Sequence, residues 1–84
     1  MLMPKLTTNG VKIVKFMQAH DGPFFGYEVA EAVGIKDRGV HGIMNSLFKR
    51  GYVGKTEAVE RLVDERIKYQ VQYFLTKDGK SLEV

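Results

Sequence analysis

Residues 26–53 read GYEVAEAVGIKDRGVHGIMNSLFKRGYV, two helical patterns separated by a tight turn. Tyr27–Val33 spans two turns and sets Val29, Ala30 and Val33 on one face. Gly34 stops it, because glycine takes the left-handed conformation that commonly follows a helix end. Ile35 then points inward to plug the turn, and Asp37 offers an N-cap for a third helix over roughly 38–50. In that helix Val40, Ile43, Met44, Leu47 and Phe48 fall at i, i+3, i+4, i+7 and i+8, matching the amphipathic template at every position. Gly51 closes it.

Upstream, Pro4 and Pro23 each mark a boundary. Between them Thr7 is placed to cap a first helix over roughly 8–19, with Leu6 and Val11 as a hydrophobic staple. Val11, Val14 and Met17 carry its apolar stripe, and Ile13 and Phe16 widen it. Asp21-Gly22-Pro23 ends it. Phe24 and Phe25 form too short a run for an independent strand but suit a small sheet edge. Downstream the period changes to two. Ile67, Tyr69, Val71, Tyr73 and Leu75 alternate with Lys68, Gln70, Gln72, Phe74 and Thr76, which predicts one half-buried strand. Val53–Leu62 is its antiparallel partner, with Val63-Asp64-Glu65-Arg66 as the turn.

The chain has 84 residues, 44% hydrophobic and 27% charged, so it accommodates one domain over 1–84 with a single small core. It has no cysteine, which excludes a disulfide framework or a thiolate zinc site, and its two histidines, His20 and His41, lie far apart. No metal or other cofactor is expected. No apolar run approaches the ~20 residues that span a bilayer, and Met1–Lys5 lacks a secretory stretch, so a cytoplasmic protein without a membrane partner is expected. The net charge of +3 is unevenly spread: residues 36–55 alone carry +4, whereas 21–35 carry −3. A concentrated basic block favours polyanions.

The order helix, short strand, helix, turn, helix, hairpin resembles the winged helix-turn-helix. The unit over Gly26–Phe48, its exit through Lys49-Arg50-Gly51 into the wing, and Leu75-Thr76-Lys77-Asp78-Gly79 are similar to MarR-type regulators, the last to their Leu-Thr-x-x-Gly. The resemblance covers about Leu6 to Gly79. It implies an α+β fold, a three-helix core with a C-terminal β-hairpin wing and a short strand between helices 1 and 2. It also implies sequence-directed double-stranded DNA binding and transcriptional control. MarR-type proteins carry further terminal helices that build a dimer, for which this chain has no length, so a homodimer is left open.

On the third helix Arg38, Gly42, Asn45 and Lys49 lie at i, i+4, i+7 and i+11, opposite the apolar seam, flanked by Gly39, His41 and Ser46. Arg and Asn have the geometry for bidentate contacts to bases in a major groove. Lys36, Ser46, Lys49 and Arg50 suit phosphates, which orient without reading sequence. Gly42 is the expected point of nearest approach to DNA. In the wing, Arg61, Arg66 and Lys68 suit flanking contacts, although Glu57, Glu60, Asp64 and Glu65 share the hairpin. The wing or helix 1 could instead dock a protein, which makes a winged-helix protein-interaction module the alternative. Catalysis is not expected: Asp37 and His41 lie one turn apart, but no nucleophile, oxyanion partner or phosphate loop accompanies them. His20 is placed to interact with the end of helix 1. Tyr69 and Tyr73 are expected to face the core.

Overall fold

Thr7 opens α1 (Thr8–Ala19) as its N-cap, its Oγ1 accepting the Gly10 N–H at 3.0 Å. The coordinates are a computed structural model describing residues 6–20 and 22–83; Pro4, Lys5 and Asp21 of the boundary motifs lie outside them. His20 is the C-cap, and its Nδ1–H donates to the Phe16 carbonyl at 2.9 Å, as its position predicts. After the Phe24 bridge comes α2 (Gly26–Val33), whose first turn is held by the Phe25 N–H donating to Glu28 Oε1 at 2.8 Å. Gly34 ends α2 at φ 73°, and both its N–H and that of Ile35 donate to the Ala30 carbonyl, at 3.0 and 3.1 Å.

The third helix, α3, covers Asp37–Lys49. Lys36, not Asp37, is its N-cap, with no side-chain capping bond. Asp37 sits inside the first turn, where a carboxylate still opposes the helix dipole favourably. Four strands follow: β1 (Val53–Lys55), β2 (Val59–Val63), β3 (Arg66–Gln70) and β4 (Tyr73–Leu75), then the single turn α4 (Lys77–Lys80). β1 pairs antiparallel with β4, and β2 with β3, as two separate ladders. The single strand expected over 67–75 is therefore two. At the break, Thr56 holds the chains together: its N–H donates to the Gln72 carbonyl at 2.9 Å and its Oγ1 accepts the Gln72 N–H at 3.0 Å. Phe24 bridges Tyr73 through two backbone hydrogen bonds of 2.9 and 2.7 Å, which makes it the small sheet edge expected between α1 and α2.

The core lies where α1, α2, α3 and the β1–β4 ladder meet. Ile13, Val14, Val29, Val40 and Met44 are fully buried there, with Met17, Ala30, Leu47, Val53, Tyr73 and Leu75 around them. Full burial of each large side chain stabilises by roughly 1.5–3 kcal/mol. Three residues expected to face inward are exposed. Tyr69 is 68% exposed and Ile67 62%, because β2 and β3 extend beyond the helices that cover Tyr73 and Leu75. Phe48 is 45% exposed, since the apolar stripe of α3 is wider than the surface packed on it.

The Leu75-Thr76-Lys77-Asp78-Gly79 motif has a packing explanation. Thr76 Oγ1 accepts the Gly79 N–H at 3.2 Å and donates to the Gly51 carbonyl at 2.6 Å, which ties the end of the wing to the end of α3. Gly79 is buried directly against the Tyr52 carbonyl, where no Cβ fits. Gln18 Nε2 donates to the carbonyls of Gly79 at 3.2 Å and Leu82 at 2.9 Å, fastening α1 to the same corner. The described residues extend 49 × 24 × 21 Å, and no helix among them is long and apolar enough to cross a membrane.

Candidate nucleic-acid interface

Burial of Val40, Met44 and Leu47 fixes the rotation of α3 about its axis, and that rotation decides what its opposite face presents. Arg38, Gly42, Asn45, Ser46 and Lys49 are all exposed there, with Gly39 and Arg50 on one flank and Lys36 at the N-terminus. A Cβ built on Gly42 meets no atom within 4 Å, so that glycine is a bare patch of helix backbone open to the outside. Gly39 differs: a Cβ there would lie 3.3 Å from Ile35 Cγ2, which gives this glycine an intramolecular reason, the seating of Ile35 over the turn.

His41 stands at the other edge of the sector and faces the sheet. Its Nδ1 is 3.3 Å from the Tyr73 hydroxyl and its Nε2 is 3.5 Å from Asp37 Oδ1. Its ring also occupies the space beside Gly26, where a Cβ would come within 2.9 Å of Cε1. Three elements thus hold this imidazole at the margin of the outward face. Burial, and then the negative charge of Asp37, push the Tyr73 phenol above its ordinary value, so the hydroxyl is neutral and available to hydrogen-bond.

The wing turns at Asp64 and Glu65, both at positive φ (50° and 63°), as a two-residue hairpin turn requires. Its register sets Arg61 opposite Lys68 and Val63 opposite Arg66, so the three basic residues share one face. Glu60, Leu62, Ile67 and Tyr69 occupy the other. The acidic residues are thereby partly separated from the basic ones: Glu60 accepts from the Tyr69 hydroxyl at 3.3 Å on the far face, and Asp64 and Glu65 form the tip. Arg66 and Lys68 are exposed. Arg61 is not deployed like them. Its guanidinium lies 3.5 Å from the centroid of the Tyr27 ring, and its Nη1–H donates to Gln70 Oε1 at 2.6 Å.

One residue at this surface escapes a reading of α3 alone. Lys55, at the end of β1, reaches across to donate from Nζ to Asn45 Oδ1 at 3.2 Å, with its ammonium 4.6 Å from the Phe48 ring centroid. Sequence spacing gives no hint of it, because the contact depends on where β1 crosses the end of α3. The charge pattern did place Lys55 inside the basic block. Among the described residues no group of three or more His, Asp or Glu side chains is arranged to hold a metal ion.

No protein-family model matches the sequence, and no curated protein does. The three-dimensional structure is similar to several solved ones. A point variant of ZitR from Lactococcus lactis superposes with a TM-score of 0.70 at 19% identity over 95% of this chain and 49% of that one. PcaV, a transcriptional regulator from Streptomyces coelicolor solved with its natural ligand, gives 0.68 at 22% identity over 94% and 51%. MepR, a transcription regulator of the Staphylococcus aureus multidrug efflux pump MepA, gives 0.65 at 14% identity over 90% and 51%. The wild-type ZitR is a zinc-responsive MarR family member. The chain spans about half the length of these proteins. It has the winged helix-turn-helix fold of solved MarR-type transcription regulators.

Proposed function

We propose that this chain binds double-stranded DNA with α3 in the major groove and acts as a transcriptional regulator, not as an enzyme. The observation that carries this is the exposed outward sector of α3, where Arg38, Asn45 and Lys49 surround the bare backbone of Gly42 while Val40, Met44 and Leu47 on the opposite face are buried in the core. Arg38 and Asn45 read base edges, and Lys36, Ser46, Lys49 and Arg50 contact phosphates. Arg66 and Lys68 extend the footprint from the basic face of the wing. Likeness to solved transcription regulators supports the same role.

The test is a titration of labelled duplex DNA against the chain at rising salt. Neutralising roughly five phosphates weakens binding on the order of 10²- to 10³-fold between 50 and 200 mM salt. Binding that does not respond to salt overturns the assignment. Selection of preferred duplexes then reads specificity, and a palindromic site indicates two copies on the DNA.

The other face of the wing supports a second reading. Leu62 and Ile67 pair directly across the strands and are 72% and 62% exposed, beside Tyr69, an apolar surface suited to a protein partner. A winged helix used only as a protein-interaction module predicts no duplex binding even at low salt.

A further inference from the structure

The amide of Asn45 is not free to choose its orientation. Lys55 Nζ lies 3.2 Å from Asn45 Oδ1, and an ammonium group has donors only. The oxygen of the amide must therefore face Lys55, which turns the NH₂ group the other way. The lysine itself is fixed from three sides. Its backbone is in register opposite Tyr73 in the β1–β4 ladder, and its ammonium sits 4.6 Å from the Phe48 centroid and 5.9 Å from that of Tyr73. Cation–π attraction to both rings favours this placement.

Consequences follow for base reading. Adenine is recognised by an Asn whose oxygen accepts from N6 while its nitrogen donates to N7. Here a cation occupies the acceptor side, and it would repel the exocyclic amino group of adenine or cytosine brought to the same point. The pair instead presents donors on either side of that oxygen, Asn45 Nδ2–H and the remaining N–H groups of Lys55. Guanine is the base whose major-groove edge offers two adjacent acceptors, O6 and N7.

We propose that Lys55 is a specificity-determining residue that sets the polarity of Asn45, so that the two together read a guanine. This rests on the DNA-binding role proposed above, and the experiment separates the two. Preferred sites are selected from randomised duplexes with the wild-type chain, Lys55→Met and Asn45→Ala. Met retains the apolar stem over Phe48 and removes the donor, and Lys55 is exposed, so folding is maintained. Asn45→Ala is expected to erase a preference for guanine at one position. Lys55→Met is expected to erase that same preference or convert it to adenine, with the other positions unchanged. With wild-type protein, 7-deazaguanine at that position, which lacks the N7 acceptor, is expected to weaken binding by about 5- to 150-fold, the range for one lost base contact. A Lys55→Met site identical to wild type overturns the inference and leaves the DNA-binding role standing, as does adenine at the position that Asn45 controls. A wild-type chain that enriches no duplex overturns both.

Discussion

Arg61 of β2 stacks its guanidinium 3.5 Å from the centroid of the Tyr27 ring on α2. The Gln70 amide, which accepts from Nη1 at 2.6 Å, holds the guanidinium in that orientation. An arginine that charge alone assigns to DNA is thus a strut between the wing and the helix-turn-helix unit. Stacking of this kind contributes about 0.5–2 kcal/mol.

The strut makes a prediction about stability and another about salt. Arg61→Ala is expected to lower the unfolding free energy by about 1 kcal/mol, and a double-mutant cycle with Tyr27→Leu should return a coupling of at least about 0.5 kcal/mol. Urea titrations measure both. In DNA binding, Lys49→Ala should reduce the slope of log affinity against log salt by about 0.9, whereas Arg61→Ala should leave that slope as it was. Equal changes in slope would return Arg61 to the phosphate contacts.

Gly42→Ala should raise stability and weaken DNA binding at once. The added methyl meets no atom within 4 Å in the free protein and removes a mid-helix glycine, a gain of about 0.8–1.0 kcal/mol. The same methyl stands where the backbone is proposed to approach the groove. Thermal melts and duplex titrations check the two signs, and binding equal to wild type would remove Gly42 from the contact surface.

Gly79→Ala is the opposite case. Its Cβ would be driven into the Tyr52 carbonyl, a backbone group that cannot move aside without shifting the exit from α3. A destabilisation of about 1–3 kcal/mol is expected, typical of a buried overpacked site, and is read in urea unfolding. Stability equal to wild type would mean that the corner around Thr76 is not rigid.

Alkaline stability reports on Tyr73. Its folded-state value lies above the ordinary 10.0, chiefly through burial and then through Asp37. A phenol that holds its proton longer when folded contributes stability that is intact below pH 10 and lost as pH rises through the raised folded value. Unfolding free energy measured from pH 8 upward should therefore fall less steeply in Tyr73→Phe than in wild type above about pH 10. Parallel curves would dissociate Tyr73 from the alkaline loss.

Much of the fold was legible because it is written in local chemistry. The stripe of Val40, Met44 and Leu47, the Thr7 cap, the turn at Gly34 and the hairpin turn at Asp64-Glu65 each follow from neighbours within one or two helical turns. Where the reading failed, the deciding partner was distant. Alternation puts Ile67, Tyr69, Tyr73 and Leu75 on a common footing, yet only Tyr73 and Leu75 are covered, because the helices reach β4 and stop short of β3. The break between β3 and β4 depends on Thr56, sixteen residues from its partner Gln72 in the chain. Asp37 looked like a cap because its side chain can serve as one, but the helix begins at that residue and its carboxylate lies beside His41.

By itself the amino-acid order determined that three amphipathic helices and a hairpin form, and that Arg38, Asn45 and Lys49 share the polar side of the third helix. Such patterns repeat with the geometry of the backbone and need no distant partner. Tertiary structure alone decided what those side chains are able to offer. Lys55 arrives at Asn45 from another element, Tyr27 stacks on Arg61, and Tyr73 engages His41. The physical reason is that hydrogen bonds and ring contacts act over a few ångströms, and only the folded chain brings those atoms that close.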